Sequence, residues 1–341
     1  MSNKLRIIVP TAVVSCAITA VIVWGLMGNG TVSEEGSNAS KKKAKKAVVA
    51  EGCEIMQLSM ASTTGGRHTH PLLLTELSCP SSEYDSLRNS MVNLIEKRKS
   101  EGVLQTASVY FKELGTNKWF DINPGTKYNP GSLMKVAILM TYLKLSESNA
   151  SLMDERYTLT EVMSDRVDQL RTSAPLIKGQ SYNVKFLLEE MIVNSDNDAA
   201  NMLNQHINQE MFSKVMRDLG CSTPDISDPN YQMTVTEYNR YFRVLYNSSY
   251  LNDENSEWAL TLLTRSNYKE GMMKGIPSGV EVAHKFGERP YENGFNFHEG
   301  GIVYLKNKPY MLLVMTRGKD NTKLPGVISE ISKLCYDQLA I

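Results

Sequence analysis

The chain has 341 residues, 42% of them hydrophobic, enough for one large domain or two modest ones with a real core. Lys plus Arg number 37 and Asp plus Glu number 37, so the formal net charge is zero, which argues against a nucleic-acid binder. The 5 cysteines (Cys16, Cys53, Cys79, Cys221, Cys335) form no CxxC pair or His/Cys cluster of metal-ligand spacing, so no metal site is expected.

Lys4 and Arg6 precede "IIVPTAVVSCAITAVIVWGLMG", residues 7–28, which carries no charge. As a helix this run reaches about 33 Å, enough to cross a hydrocarbon core of about 30 Å. "VVSC" (13–16) faintly has the form of a lipoprotein cleavage box, but the apolar run continues past Cys16, which favours an uncleaved anchor. Residues 1–6 would then be cytoplasmic and the rest of the chain outside. "KKKAKK" at 41–46 runs against the positive-inside trend, so this topology leans on the function. Residues 29–83 read as a tether: 29–50 are small, polar and charged, "TTGGRHTH" looks flexible, and "PLLLTEL" could dock. Cys53 and Cys79 could pair outside the cytoplasm, although the sequence does not set connectivity.

Order is expected from residue 84 to 341. "EYDSLRNSMVNLIEKRKSEG" (83–102) is an amphipathic helix with Leu87, Met91 and Leu94/Ile95 on one face. "LQTASVYFKEL" and "KWFDINP" form a strand pair around Gly115–Asn117. A helix opens at Ser132 in "NPGSLMKVAIL" (129–139), and 150–250 is mostly helical, including 183–193 and "DAANMLNQHI". "TVTEYNRYFRVLYN" starts with Thr234 and Glu237 in capping-box relation. Strands are expected at 280–287, 301–307 and 309–318, the last two as a hairpin, before a closing helix in "LPGVISEISKLCYDQLA". The order implies an α+β domain: an antiparallel sheet built from both chain ends, flanked by helices, with an inserted helical subdomain.

Three short islands carry chemistry. Ser-x-x-Lys occurs at Ser40/Lys43, Ser132/Lys135 and Ser266/Lys269, but only Ser132 combines a Pro-Gly stop with an apolar helix behind it. The first lies in the lysine-rich tether, and the third, in "TRSNYKEG", reads as a polar loop. In "NSDNDAANML" (194–203), Ser195, Asp196 and Asn197 interrupt two helical stretches. In "AHKFGE" (283–288), Lys285 ends a strand and Gly287 permits close approach to the backbone. Alone, each has an ordinary explanation: a serine cap with a snorkelling lysine, a turn, an edge-strand lysine. Together, in the order SxxK, SDN, KxG, they are the signature set of serine β-lactamases and penicillin-binding proteins.

On these motifs, supported by "EEMIVNSDNDAANMLNQHI" and "HEGGIVYLKNKPYMLLVMTRG", the region from about 84 to 341 resembles class A β-lactamases and their DD-peptidase-like relatives. The resemblance implies a β-lactamase/transpeptidase-like fold, no metal or organic cofactor, and an acyl-enzyme on Ser132. Lys135, one turn along, would be the base for the Ser132 hydroxyl, its pKa lowered by desolvation and by Lys285. Ser195 would relay a proton to the leaving nitrogen, Asn197 would hold the substrate amide, and the N–H groups of Ser132 and Glu288 would form the oxyanion hole.

Two departures stand out. Class A enzymes carry a glutamate between SDN and KTG that directs the deacylating water. Here "GCSTPDISDPNYQMTVTEY" has no E-x-x-L-N pattern, leaving Asp225 and Asp228 as stand-ins, with Glu237 expected to cap its own helix. Phe286 stands where the family usually has Thr or Ser, which shifts carboxylate recognition to Lys285 or implies a bulkier or less anionic substrate. The expected protein is a monomeric, membrane-anchored, extracytoplasmic serine hydrolase acting on a β-lactam or a D-alanyl-type amide of a peptidoglycan stem peptide. Alternatives are a cell-wall DD-peptidase or transpeptidase, a penicillin-binding sensor that does not turn over, and a scaffold with relic motifs.

Overall fold

A computed structural model describes residues 66–70, 79–163, 174–223 and 230–340, all within the unit Ala50–Ile341. The expected span at 7–28, the tether through residue 65 and the Cys53 half of the suggested disulfide lie outside these residues. No helix among the described residues is long and apolar enough to cross a membrane.

The first helix, α1 (Asp85–Ser100), buries Leu87, Met91 and Ile95 on one stripe and carries Lys97, Arg98 and Lys99 at its carbonyl end, where positive charge is favoured. Strands β1 (Thr106–Glu113) and β2 (Trp119–Ile122) pair antiparallel, the strand pair expected around Gly115–Asn117. After β3 (Lys127–Tyr128) comes a 3-10 turn, Gly131–Met134, and then α2 (Lys135–Ser146). Every residue of α2 from Val136 to Leu143 is buried, so this helix is the axis of the larger core. Strands β4 (Arg156–Thr158) and β5 (Ser181–Asn183) lead to α3 (Val184–Val193), α4 (Asn197–His206) and α5 (Gln209–Asp218). Next come β6 (Met233–Thr234), α6 (Val235–Tyr246) and α7 (Asp253–Thr264). The chain closes with β7 (Val282–Tyr291), β8 (Gly294–Val303), β9 (Tyr310–Gly318) and α8 (Leu324–Leu339).

The main sheet runs β2-β1-β9-β8-β7, antiparallel throughout, so it is assembled from both chain ends as expected. One face meets α1 and α8 through Met91, Ile95, Val327, Ile328 and Ile331. The other face meets the helices inserted between β2 and β7, packed around Leu139, Met140 and Leu143. Each such fully buried side chain contributes about 1.5–3 kcal/mol.

The structure departs from the sequence reading in three places. Strand β8 starts at Gly294, so "GFNFHEG" is strand, although its glycines give no strand signal. Gly300 explains the choice: a Cβ there would come within 2.9 Å of Leu313 and 3.1 Å of Tyr238, so its absence lets α6 seat on the sheet. Ser132 lies in the 3-10 turn, one step before the α-helix. Finally, Gly66–His70, expected to be flexible, is clamped. The backbone N–H groups of His68 and Thr69 donate to the Glu257 carboxylate, His68 Nδ1 lies 2.6 Å from Glu257 Oε1, and His70 stacks on Tyr246.

Cys79 is disulfide-bonded to a partner outside the described residues, whereas Cys221 and Cys335 are free and buried. Burial pushes both free thiols up in pKa.

Lys112, on β1, is 2% exposed, and desolvation lowers its pKa to about 8. A folded-state value below that of the unfolded chain means the unfolded state binds more protons between about pH 8 and 10.5, so stability rises with pH across that window. Lys112→Met should therefore stabilise the domain by at least about 1 kcal/mol at neutral pH. The gain should shrink toward about pH 10, as measured by denaturant unfolding at several pH values.

Candidate active site

The centre of the site is a turn between two helices. Helix α3 ends at Val193, and both Asn194 and Asp196 donate their N–H groups to the Glu190 carbonyl. The Asp196 side chain accepts the Ala199 N–H at 2.8 Å and so caps α4. Ser195, trapped between the two ends, takes a left-handed backbone with φ 53°, which a β-branched or bulky residue would resist. From behind, Asn194 donates to Glu190 Oε2 at 2.8 Å and accepts from Asn267 Nδ2 at 2.5 Å, while the Asn267 N–H donates to the Val193 carbonyl. Asn267 belongs to "TRSNYKEG": this segment is a loop, as expected, but Ser266 is 2% exposed and the loop braces the Ser195 turn. Polar composition concealed that role.

Two lysines converge on Ser195. Lys135 Nζ donates to the Ser195 carbonyl at 2.7 Å, to Asn197 Oδ1 at 2.7 Å and to Ser195 Oγ at 3.3 Å. Lys285 Nζ donates to Ser195 Oγ at 2.9 Å and to the Phe286 carbonyl at 2.8 Å. Lys285 is fully buried; desolvation first, and the Lys135 charge second, push its pKa well below the usual lysine range.

The remaining pieces meet where the 3-10 turn seats on β7. Gly131 has φ 53°, and a Cβ there would run into the Glu288 carbonyl and lie 3.2 Å from Glu288 N. A Cβ on Gly287 would lie 2.5 Å from the Pro130 carbonyl and 2.7 Å from Leu133 N. Two glycines therefore let half-buried Ser132, the Glu288 backbone and the lysine cluster share one end of α2. Of the sequence candidates, Lys135, Ser195, Asn197 and Lys285 form one hydrogen-bonded group; Gly287 and Glu288 line the seat of the Ser132 turn.

Phe286 does not widen the cleft. Its ring is 6% exposed, stacks on Tyr268 at 4.2 Å and sits 4.2 Å from Lys285 Nζ, so it seals the ammonium from solvent. Glu237 accepts the Thr234 N–H at 2.7 Å while its own N–H donates to Thr234 Oγ1, the expected capping box. Asp225 and Asp228 lie outside the described residues. No group of three or more potential metal ligands occurs among the described residues.

This geometry matches a known architecture. The PBP-A structure aligns with TM-score 0.63 and 19% identity over 75% of this chain and 96% of that one. A β-lactamase from Chitinophaga pinensis DSM 2588 aligns with TM-score 0.66 and 16% identity over 74% and 99%. A class A β-lactamase representative from Bacteroides cellulosilyticus DSM 14838 gives 0.64 and 16% over 74% and 98%. At these identities the likeness shows the fold, which is the β-lactamase/transpeptidase-like one. No curated protein matches by sequence. The family assignment comes from residues 86–339, which match the β-lactamase enzyme family, and the chain belongs to it.

Gly287→Ala would push the Ser132 turn off β7. It should cost about 1–3 kcal/mol of stability and slow covalent labelling of the serine by roughly 100-fold, read by mass spectrometry of the adduct against a melting curve.

Proposed function

We propose that this chain is a membrane-anchored, extracytoplasmic serine acyl-transfer enzyme that forms an ester between Ser132 and a β-lactam or a D-alanyl-type amide. The observation that carries the reading is Ser195 Oγ, held between Lys135 at 3.3 Å and Lys285 at 2.9 Å beside the Ser132 turn. A hydroxyl bonded to two amines is a proton relay, and a relay is what amide cleavage by a serine requires.

The lowered pKa of Lys285 makes a neutral amine accessible well below pH 10.5. Passing a proton from Lys135 through Ser195 to that amine leaves Lys135 free to take the Ser132 proton. Ser132 Oγ then bonds to the acyl carbon, and the carbonyl oxygen becomes an oxyanion facing the N–H groups of Ser132 and Glu288. Each such donor is worth about 2.7–4 kcal/mol in related sites. When the C–N bond breaks, Ser195 gives its proton to the leaving nitrogen and recovers one from Lys285. Asn197, already fixed by Lys135, aligns the substrate amide. Water or an acceptor amine then takes the acyl group from Ser132.

The acyl-enzyme complex of a PBP-A point mutant with penicillin G, which aligns at TM-score 0.62, supports the penicillin-reactive reading. The disulfide at Cys79 supports a location outside the reducing cytoplasm, and the apolar run at 7–28 supports the anchor. Slow deacylation, as in a DD-peptidase, transpeptidase or sensor, is favoured by one observation: Glu237 is committed to its capping box.

Incubation with a fluorescent penicillin should give an adduct that Ser132→Ala abolishes. Lys285→Arg, which cannot surrender a proton, should slow its formation by about 100- to 10,000-fold. An adduct persisting for hours marks the peptidase-like reading, rapid loss marks a lactamase, and equal labelling of Ser132→Ala refutes the proposal. Because the Lys285 amine, its pKa lowered by burial, must be neutral, labelling should accelerate with rising pH below the usual lysine range, provided the protein stays folded.

A further inference from the structure

His298 stands on β8 directly across the ladder from Gly287, the glycine against which the Ser132 turn is seated. The residue is 0% exposed, and both of its ring nitrogens are spent on backbone groups. Nδ1 accepts the Thr316 N–H at 3.2 Å, and Nε2 lies 3.0 Å from the Asn129 carbonyl. An N–H aimed at Nδ1 requires that nitrogen to be bare, so the ring proton is on Nε2, where the Asn129 carbonyl accepts it. The two partners thus select the same neutral tautomer. Burial agrees with them, lowering the His298 pKa to about 4. The ring also meets Tyr128 edge-on at 5.2 Å between centroids, and the Tyr128 hydroxyl is in turn 3.0 Å from Ser108 Oγ.

Asn129 carries this hold to the nucleophile. While its carbonyl takes the His298 proton, its side-chain oxygen accepts the Gly131 N–H at 3.1 Å. Gly131 turns with φ 53°, Ser132 follows, and the Leu133 N–H donates back to the Pro130 carbonyl at 3.2 Å. Gly131 and Gly287 permit the turn to approach β7, but a missing side chain removes bulk and sets no position. The directional contact is the bond from His298.

We infer that His298 is a positioning residue for the nucleophile: through Asn129 it fixes where the Ser132 turn stands over β7, and with it the Ser132 hydroxyl and the Ser132 N–H of the oxyanion hole. The inference rests on the acyl-transfer reading above and assigns that site a residue from β8. Because the ring is fully buried, it acts through Asn129 and not on the substrate. Attack by Ser132 depends on placement, and a shift of about 1 Å in a reacting group can cost about 100-fold in rate. An apolar side chain of similar size would leave both the Asn129 carbonyl and the Thr316 N–H without the bonds that His298 supplies.

The test uses the full-length protein in detergent with benzylpenicillin, following the Ser132 adduct by mass spectrometry over a range of penicillin concentrations. His298→Asn keeps an acceptor near the Thr316 N–H but is too short to reach Asn129, whereas His298→Gln brings an amide N–H to about the place of Nε2. In His298→Asn the limiting labelling rate should fall by about 10- to 100-fold while the half-saturating concentration holds. His298→Gln should recover the rate to within about threefold of the wild type. A His298→Asn variant that labels like the wild type, or a His298→Gln variant as slow as His298→Asn, overturns the inference and leaves the acyl-transfer reading intact. If neither variant folds, the nitrogen NMR spectrum of the wild-type histidine rings decides. A neutral His298 protonated on Nε2 down to about pH 5 supports the assignment, and an Nδ1 proton or a charged ring overturns it. Wild-type protein that takes no label on Ser132 overturns the acyl-transfer reading itself.

Discussion

Two lysines bonded to one buried hydroxyl set the terms for the rest of this molecule. With Lys135 and Lys285 both on Ser195 Oγ, their nitrogens are no more than about 6 Å apart, and at an effective dielectric near 20 their repulsion when both are charged is about 3 kcal/mol. A free chain would separate them. Here carbonyls of Ser195 and Phe286 and the Asn197 amide hold them together, and the repulsion becomes a readiness to release a proton. Lys285 is the more deeply enclosed of the two, and burial with the Lys135 charge lowers its pKa.

Holding that arrangement is a problem of backbone approach. Ser132, Ser195 and Lys285 sit on a 3-10 turn, a helix–helix turn and a strand, elements from three separate parts of the sequence. The turn reaches the strand only because Gly131 and Gly287 present no side chains where they touch. The Ser195 turn is fixed by a polar brace from Glu190, Asn194 and Asn267. The central position of α2, buried on all sides, gives both contacts a rigid base.

Much of this was legible in the sequence where local pattern and tertiary role coincide. The stripe of Leu87, Met91 and Ile95, the continuous buried run of β9 and the Thr234/Glu237 cap each satisfy a short-range rule that the fold also needs. The chemical islands were legible for a different reason: SxxK, SDN and KxG keep their order and spacing. What stayed hidden depends on partners far along the chain. Strand β8 begins in "GFNFHEG" because neighbouring strands and α6 demand thin residues there, and the Gly66–His70 clamp exists because Glu257 receives it. Asn267 looked like an ordinary polar residue of a loop, and only its bonds to Asn194 and Val193 give it weight. The sequence places Lys135 near Ser132, but it does not show that a phenyl ring lies against Lys285.

The distribution of sulfur has a bearing on how the chain matures. Cys79 is cross-linked just ahead of α1, whereas Cys221 lies beneath α6 and Cys335 is enclosed under α8, where burial keeps its thiol from ionising. Disulfide exchange needs a thiolate within reach of a sulfur. Once α8 has docked, Cys335 can neither attack nor be attacked. Correct bridging is therefore a matter of timing, and a lesion that slows the docking of the C-terminal helix would surface first as scrambled, cross-linked protein rather than as a weaker enzyme.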